Sequence, residues 1–388
     1  MRLAIACDRI FTSLANGTES GVVVVEDDRI AQIVPSVPSD GTPVLRLPGT
    51  TLLPGLIDAH SHLSIVPSRG DQIGQMRLPV EVQLATARTN ILTDVLSGVT
   101  TLRSMAQELD VDFLVREEVT AGRTLGPDLV CSGVQLAKRG AHGHALTAVA
   151  DESEIEALVA QNAARGAGLI KIFATGGVSS VASRQEDSPF SGREIRCAAE
   201  AAHGRGLMVA AHAHGGRGAA LAIENGVDTI EHGVLLDDEM IDAAARRGLA
   251  VVGTFSIQDH PAGIQAGEAA TPAILDKLRE VRTRVEATWR RILDTGGLRV
   301  AVGTDSMHGC LAFDIVRLVD FGASPARALR AATIDGAAVC GLTDRGALKP
   351  GLRADLVAVR GNPIEAIHAV ASPAFVMKGG RTIVAPPR

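Results

Sequence analysis

The chain has 388 residues, 46% of them hydrophobic and 21% charged, with a formal net charge of −6. That length suits two or three average domains, or one α/β barrel of about 250 residues with an appendage. The acidic balance, without a basic cluster, argues against nucleic acid or an anionic membrane surface as the main partner. No apolar run reaches the roughly 18 residues a membrane span needs.

From the N-terminus, Leu3–Ile5, Gly21–Val25 and Ile30–Val34 read as short strands, with a turn at Glu26–Asp28. Asp8 and Arg9 interrupt the first apolar stretch, so no secretory leader is expected. The C-terminus repeats this texture in Ala354–Val359, Ala374–Met377 and Thr382–Val384. Two strand-rich ends around a different middle predict a small β-sandwich domain assembled from residues 1–53 plus 347–388.

Residues 54–346 alternate apolar strands with helix-periodic segments. Eight strands are expected to end near His60, Arg103, Gly133, Thr175, His212, His232, Thr254 and Thr304. Helices are expected over Val82–Ser97, Glu152–Arg165, Gly192–Arg205, Asp238–Arg247 and Pro272–Asp294. Eight β/α units in one run predict an α/β fold, a (β/α)8 TIM-like barrel, over an open doubly wound sheet. No glycine-rich phosphate motif follows the first strand, which counts against a nucleotide-binding fold.

Cys7, Cys131, Cys197, Cys310 and Cys340 are odd in number, widely spaced and form no CxxC pair. A disulfide framework or cysteine zinc site is not expected, and a cytoplasmic location fits. The chain holds no tyrosine, and its lysines are Lys138, Lys171, Lys277, Lys349 and Lys378. With so much arginine, alanine and glycine, the composition reads as codon bias of a GC-rich genome.

In a barrel of this kind, chemistry is built at the C-terminal strand ends. His60 and His62 stand at i and i+2 on the first strand, so both face one side and can grip one cation. An HxH pair alone is a weak signal. Lys171 interrupts the apolar Leu169–Phe173. A buried ammonium needs neutralising, either by a buried acid or by carbamylation with CO2, which makes the amine an anionic ligand. His212 ends Leu207–His212, with His214 at i+2; His232 stands in Thr229–Gly233; Asp305 ends Val300–Asp305. A single histidine on an apolar strand reads as an ordinary core residue. Several strand ends carrying His, Lys and Asp together read as a metal centre for zinc or a similar cation.

That order of HxH, Lys, His, His and Asp, on strands one, four, five, six and eight, resembles the binuclear amidohydrolase superfamily. The stretch Lys171–Ser180, followed by Phe190-Ser191, is more specifically similar to the branch holding the Xaa-Pro and Xaa-Arg dipeptidases and imidazolonepropionase-related proteins. Gly346–Val357 and Val376–Gly380 resemble the ending of that branch, so the likeness spans nearly the whole chain.

The resemblance implies two divalent metal ions, with zinc expected. His60, His62 and Asp305 would hold the more buried ion, and His212 and His232 the more exposed one. A carbamylated Lys171 and a hydroxide would bridge them. His142, in Gly140–Gly143, matches a glycine-flanked histidine that contacts the substrate carbonyl; Ala141 departs from the usual second glycine. Several relatives carry tyrosine where this chain has His214, so that contact falls to His214 or is missing. His142, His214 and His144 are thus the candidate substrate-binding residues. The implied mechanism has hydroxide attack a polarised carbonyl, with Asp305 and His142 as the catalytic residues and Asp305 shuttling the proton to the leaving nitrogen.

The expected activity is hydrolysis of a C–N amide bond in a small-molecule or peptide substrate, first of all a peptide or N-acyl amino acid. Other enzyme readings are a small cyclic amide, carbamate or urea, and a specialised peptidase trimming a ribosomal peptide natural product. Lys171 weighs against a mononuclear deaminase, and the full ligand set against a metal-free interaction module. The sequence is compatible with a homo-oligomer.

Overall fold

The computed structural model describes residues 2–181 and 183–385. Four strands open the chain: β1 (Arg2–Ile10), β2 (Val22–Glu26), β3 (Arg29–Val34) and β4 (Val44–Pro54). Eight follow through the middle: β5 (Leu56–Ser61), β6 (Val99–Ser104), β7 (Asp128–Cys131), β8 (Leu169–Phe173), β9 (Met208–Gly215), β10 (Thr229–Leu235), β11 (Ala250–Gly253) and β12 (Arg299–Val302). Three close it: β13 (Leu356–Arg360), β14 (Pro373–Lys378) and β15 (Arg381–Val384).

Strands from both ends of the chain join one sheet, in the order β15-β14-β13-β4-β1-β2-β3. Where a sandwich was expected, the hydrogen bonding is that of one continuous seven-stranded sheet. The reason is β4, whose 11 residues pair parallel with β1 and antiparallel with β13. Pro48 and Gly49 break its alternation, which hides it in the sequence. Side chains then alternate. Leu356, Ala358, Phe375 and Met377 pack with Ile5, Val23 and Ile30, while Val357, Val359 and Val376 join the main core.

The middle strands form two parallel sheets, β5-β6-β7 and β8 through β12 in sequential order. Isolated parallel bridges link Leu136 to Ile172 and Ser61 to Asp305 at the two junctions. Continuous apolar strands covered on both faces are what parallel sheets require, and β5, β6, β8 and β10 are buried throughout. Helices lie between the strands, among them Val80–Leu96, Glu152–Ala164, Gly192–His203, Asp238–Arg246 and Pro272–Asp294. No helix among the described residues is long and apolar enough to cross a membrane.

The longest helix shows why these segments are helical. Thr271 caps it by accepting from the Ile274 N–H, and Pro272 fills the first turn, where its missing N–H costs nothing. Ile274, Leu278, Val281, Val285, Trp289 and Ile292 recur every three or four residues and are buried. Trp289 meets Phe255 edge-on at 4.8 Å between ring centroids. Phe255 opens the segment that carries Ile257 and Gln258 to the functional cleft. Trp289→Ala is expected to cost about 3–5 kcal/mol, measured by urea unfolding; a loss below about 1 kcal/mol would show that this brace is not rigid.

Candidate metal centre

His60 and His62 leave the end of β5 on one face, as the i, i+2 spacing requires. Asp58 anchors that end. One of its oxygens accepts the His60 and Thr304 N–H groups at 3.0 and 3.2 Å, and the other accepts the Thr304 hydroxyl at 2.6 Å. Burial, with the Asp94 charge nearby, pushes its carboxyl up to about 7. Asp305, just beyond β12, donates its N–H to the His60 carbonyl at 2.8 Å and accepts the His62 N–H at 2.6 Å. Its φ of 62° is left-handed, a strained setting that turns the carboxylate into the cleft. One oxygen lies 4.0 Å from His232 Nδ1.

Lys171 sits within β8, fully buried, 5.1 Å from the Phe173 ring centre. Its Nζ has no hydrogen-bond partner. Burial pushes the ammonium down to about 8, although Glu231 and Asp305 favour the charge.

On the neighbouring strand, His212 Nε2 donates to the Gly176 carbonyl at 3.1 Å. A carbonyl only accepts, so the neutral ring keeps its lone pair on Nδ1. That nitrogen lies 2.9 Å from His232 Nε2, and the far side of His232 meets the Thr254 hydroxyl at 2.7 Å. Burial and the neighbouring basic groups hold both rings well below the usual histidine range. His62, driven by burial and then Lys171, falls to about 3. These rings are therefore neutral, the form that can ligate a cation.

Six expected ligands from five strands thus converge. Donor atoms of His60, His232 and Asp305 lie within 4.8 Å of one another. His60 Nε2, His62 Nδ1 and Lys171 Nζ are buried without partners, whereas buried polar atoms are normally satisfied. Unpaired lone pairs clustered with a carboxylate fit a divalent cation.

A cleft opens onto this cluster, lined among others by His142, His214, Phe173, Val178 and Ile257. His142 Nδ1 and His214 Nδ1 are also buried without partners. Burial first, and neighbouring positive groups second, hold both rings near 3. His214 stacks on His232 at 5.0 Å. His144 lies apart from the other two, in an adjoining hollow that also touches His142, and its Nδ1 accepts the Gly140 N–H at 3.1 Å. A Cβ placed on Gly177 would stand 2.2 Å from His142 Nε2. Gly177→Ala is therefore expected to displace that ring and lower kcat/KM about tenfold or more while metal content holds. Unchanged kinetics would show that His142 has room to move without consequence.

Several residues at the centre escaped the sequence reading. Glu231 accepts from His60 Nδ1 at 2.7 Å and from Arg103 at 2.8 Å, all three fully buried. His308 bonds Asp94 at 2.8 Å and donates to the His62 carbonyl at 3.2 Å. A charged residue inside an apolar strand was the available signal for Arg103 and Glu231, the same signal that singles out Lys171.

Parallel strands that deliver imidazoles and a carboxylate to one cleft, with a lysine buried on β8, define an α/β enzyme with its site at the strand ends. The chain belongs to the amidohydrolase family, whose profile matches residues 51–383. It is 25% identical to ochratoxinase of Aspergillus niger, over 86% of this chain and 76% of that protein. It is 28% identical to imidazolonepropionase of Streptomyces griseus subsp. griseus, over 89% and 88%. A solved Xaa-Pro dipeptidase with bound methionine superimposes with a TM-score of 0.90 at 28% identity, covering 99% of this chain and 100% of that one. These relatives match the branch that the Lys171–Ser180 stretch resembles and support a hydrolase of C–N bonds.

Proposed function

We propose that the protein is a binuclear metal-dependent hydrolase that cleaves an amide bond in a peptide or N-acyl amino acid. The observation that carries this reading is that His62, His212, His232 and Asp305 line one cleft, while His60, whose donor atom clusters with those of His232 and Asp305, and Lys171 are fully buried, with His60 Nε2 and Lys171 Nζ unpartnered. The scaffold is read as a closed (β/α)8 barrel over residues 54–346, with 1–53 and 347–388 as a second domain. His60, His62 and Asp305 would hold one divalent ion, zinc by donor type, and His212 and His232 the other, with a carbamylated Lys171 between them.

Bound ions of this kind polarise a carbonyl and make water acidic enough to attack near neutral pH. The remaining work falls to side chains. Asp305, whose side chain lines the cleft, takes the proton of the attacking water and returns it to the leaving nitrogen. His142 lines the cleft and would donate to the carbonyl oxygen as charge develops there. Phe173, Val178, Ile257 and Ile264 close the walls against bulk water.

The dipeptidase and ochratoxinase likenesses support peptide and N-acyl amino acid substrates. A small neutral amide, carbamate or urea is a second reading, favoured by the lining itself. Among the described residues lining the cleft there is no lysine or arginine to pair with a free carboxylate. Metal-loaded protein should be screened against dipeptides, N-acyl amino acids, their carboxamides, and cyclic amides. Hydrolysis of none of them by protein holding two metal ions would overturn the proposal. His214→Ala is expected to lower kcat/KM roughly tenfold or more with metal retained, as for lost transition-state contacts. Wild-type kinetics would reduce His214 to a packing residue.

A further inference from the structure

Beneath the expected ligands lies a buried charged chain that the proposed mechanism does not use. Arg103, on β6, is fully buried. Its guanidinium donates to the Ala59 carbonyl at 2.6 Å, the Val339 carbonyl at 3.3 Å and Glu231 Oε1 at 2.8 Å. The same Glu231 oxygen accepts the Thr229 hydroxyl at 2.5 Å. The other oxygen, Oε2, lies 2.7 Å from His60 Nδ1. Arg103 and Thr229 thus share one oxygen of the carboxylate, and the partner of the other oxygen is an expected metal ligand.

Neighbours on a strand point to opposite faces, so Glu231 and His232 should not both serve one centre. They do so because the backbone turns between them. His232 has φ 74° and Gly233 φ 58°, two successive left-handed residues, and the β9–β10 register shifts after His232. A non-glycine residue in that conformation costs of order 1–3 kcal/mol and persists only where the surroundings impose it. The kink lets β10 present His232 to the centre while Glu231 reaches His60 on a strand of the other sheet.

We propose that Glu231, braced by Arg103, is a positioning residue that fixes the tautomer of His60 and thereby the metal affinity of the site to which His60 belongs. An ionised carboxylate only accepts hydrogen bonds. His60 must therefore carry its proton on Nδ1, which leaves the Nε2 lone pair facing the centre, where that atom is buried and without a partner. Arg103 gives the buried carboxylate its counter-charge, and a buried charge without one is strongly disfavoured. Carboxylate partners of this type orient a ligating imidazole and raise its basicity, and their loss costs about 10–100-fold in metal affinity.

The inference rests on the metal-binding reading, and the test separates the two. Wild type, Glu231→Gln and Glu231→Asp are titrated with zinc against a competing chelator. The histidine ring nitrogens are read by 15N NMR in metal-free protein. Wild type should bind two zinc ions and show His60 protonated on Nδ1. In Glu231→Gln the amide can donate to Nδ1 and shift the proton to Nε2, so one zinc equivalent should weaken about 10–100-fold. Glu231→Asp keeps the charge, so it should keep the tautomer with a smaller loss. Failure of wild type to bind zinc would overturn the proposed function. Two unweakened zinc sites in Glu231→Gln would overturn this inference alone. Should Glu231→Gln not fold, wild type still decides: His60 protonated on Nε2 is incompatible with the role.

Discussion

Replacing Lys171 with alanine is expected to strip the centre of metal and abolish turnover in the same step. The side chain is fully buried on β8, and its nitrogen has no partner. As an ammonium it would repel two divalent ions; as a neutral amine it could serve only one. Burial pushes it down to about 8, so the uncharged form is accessible near neutral pH. A neutral amine adds to CO2: the nitrogen lone pair forms the N–C bond and one proton leaves, giving a carbamate with two oxygens. Arginine stays protonated and cannot do this, which gives a reason for lysine in a chain with so few. Outer partners of a metal ligand cost about 10–100-fold in affinity, and loss of a direct ligand should exceed that. Elemental analysis should find little metal in Lys171→Ala, and added short carboxylates should restore part of it. Wild-type protein equilibrated with 13C-bicarbonate and zinc should show a carbamate carbon resonance that Lys171→Ala lacks. A fully loaded, active Lys171→Ala protein would overturn the bridging role.

The strand-end residues were legible because their patterns are local. HxH on one strand, a lysine in an apolar run and an aspartate closing another each stand out against a hydrophobic background. The middle strands and helices were legible for a similar reason, since period 2 and period 3.6 differ over a few residues. Long-range partnership was legible only coarsely: the two strand-rich ends pointed to one shared domain, but not to the strand that joins them. Nothing in Val44–Pro54 announces that it would join strands from the two ends of the chain, because pairing depends on residues some 300 positions apart. Arg103 and Glu231 carried the same signal as Lys171, but their meaning lies in facing each other across the centre, 128 residues apart in sequence. His308, holding Asp94 and the His62 carbonyl, likewise acquires a role only when the loop after β12 closes onto β5. His144 shows the limit of a local pattern. It stands two residues from His142, yet the tight turn that exchanges a hydrogen bond between Gly140 and its ring sends it to an adjoining hollow.

Asp305→Asn separates holding metal from moving a proton. The backbone of Asp305 is tied to β5 by two hydrogen bonds, from its N–H to the His60 carbonyl and from the His62 N–H to its own. The side chain can therefore change without releasing the strand end. An asparagine oxygen can still face the cluster, so metal binding should weaken but survive. The amide has no lone pair of comparable basicity for the proton of the attacking water. The carboxylate is suited to that task because it lines the cleft and can take a proton in one step and return it in the next. Loss of such a base typically costs about 10²–10⁴-fold in rate. The expected result is a protein that keeps metal and substrate binding but loses turnover by that factor, seen as a fall in kcat with KM little changed. Near-wild-type kcat in a metal-loaded Asp305→Asn protein would move the proton shuttle elsewhere, with His142 the next group to test because it lines the same cleft.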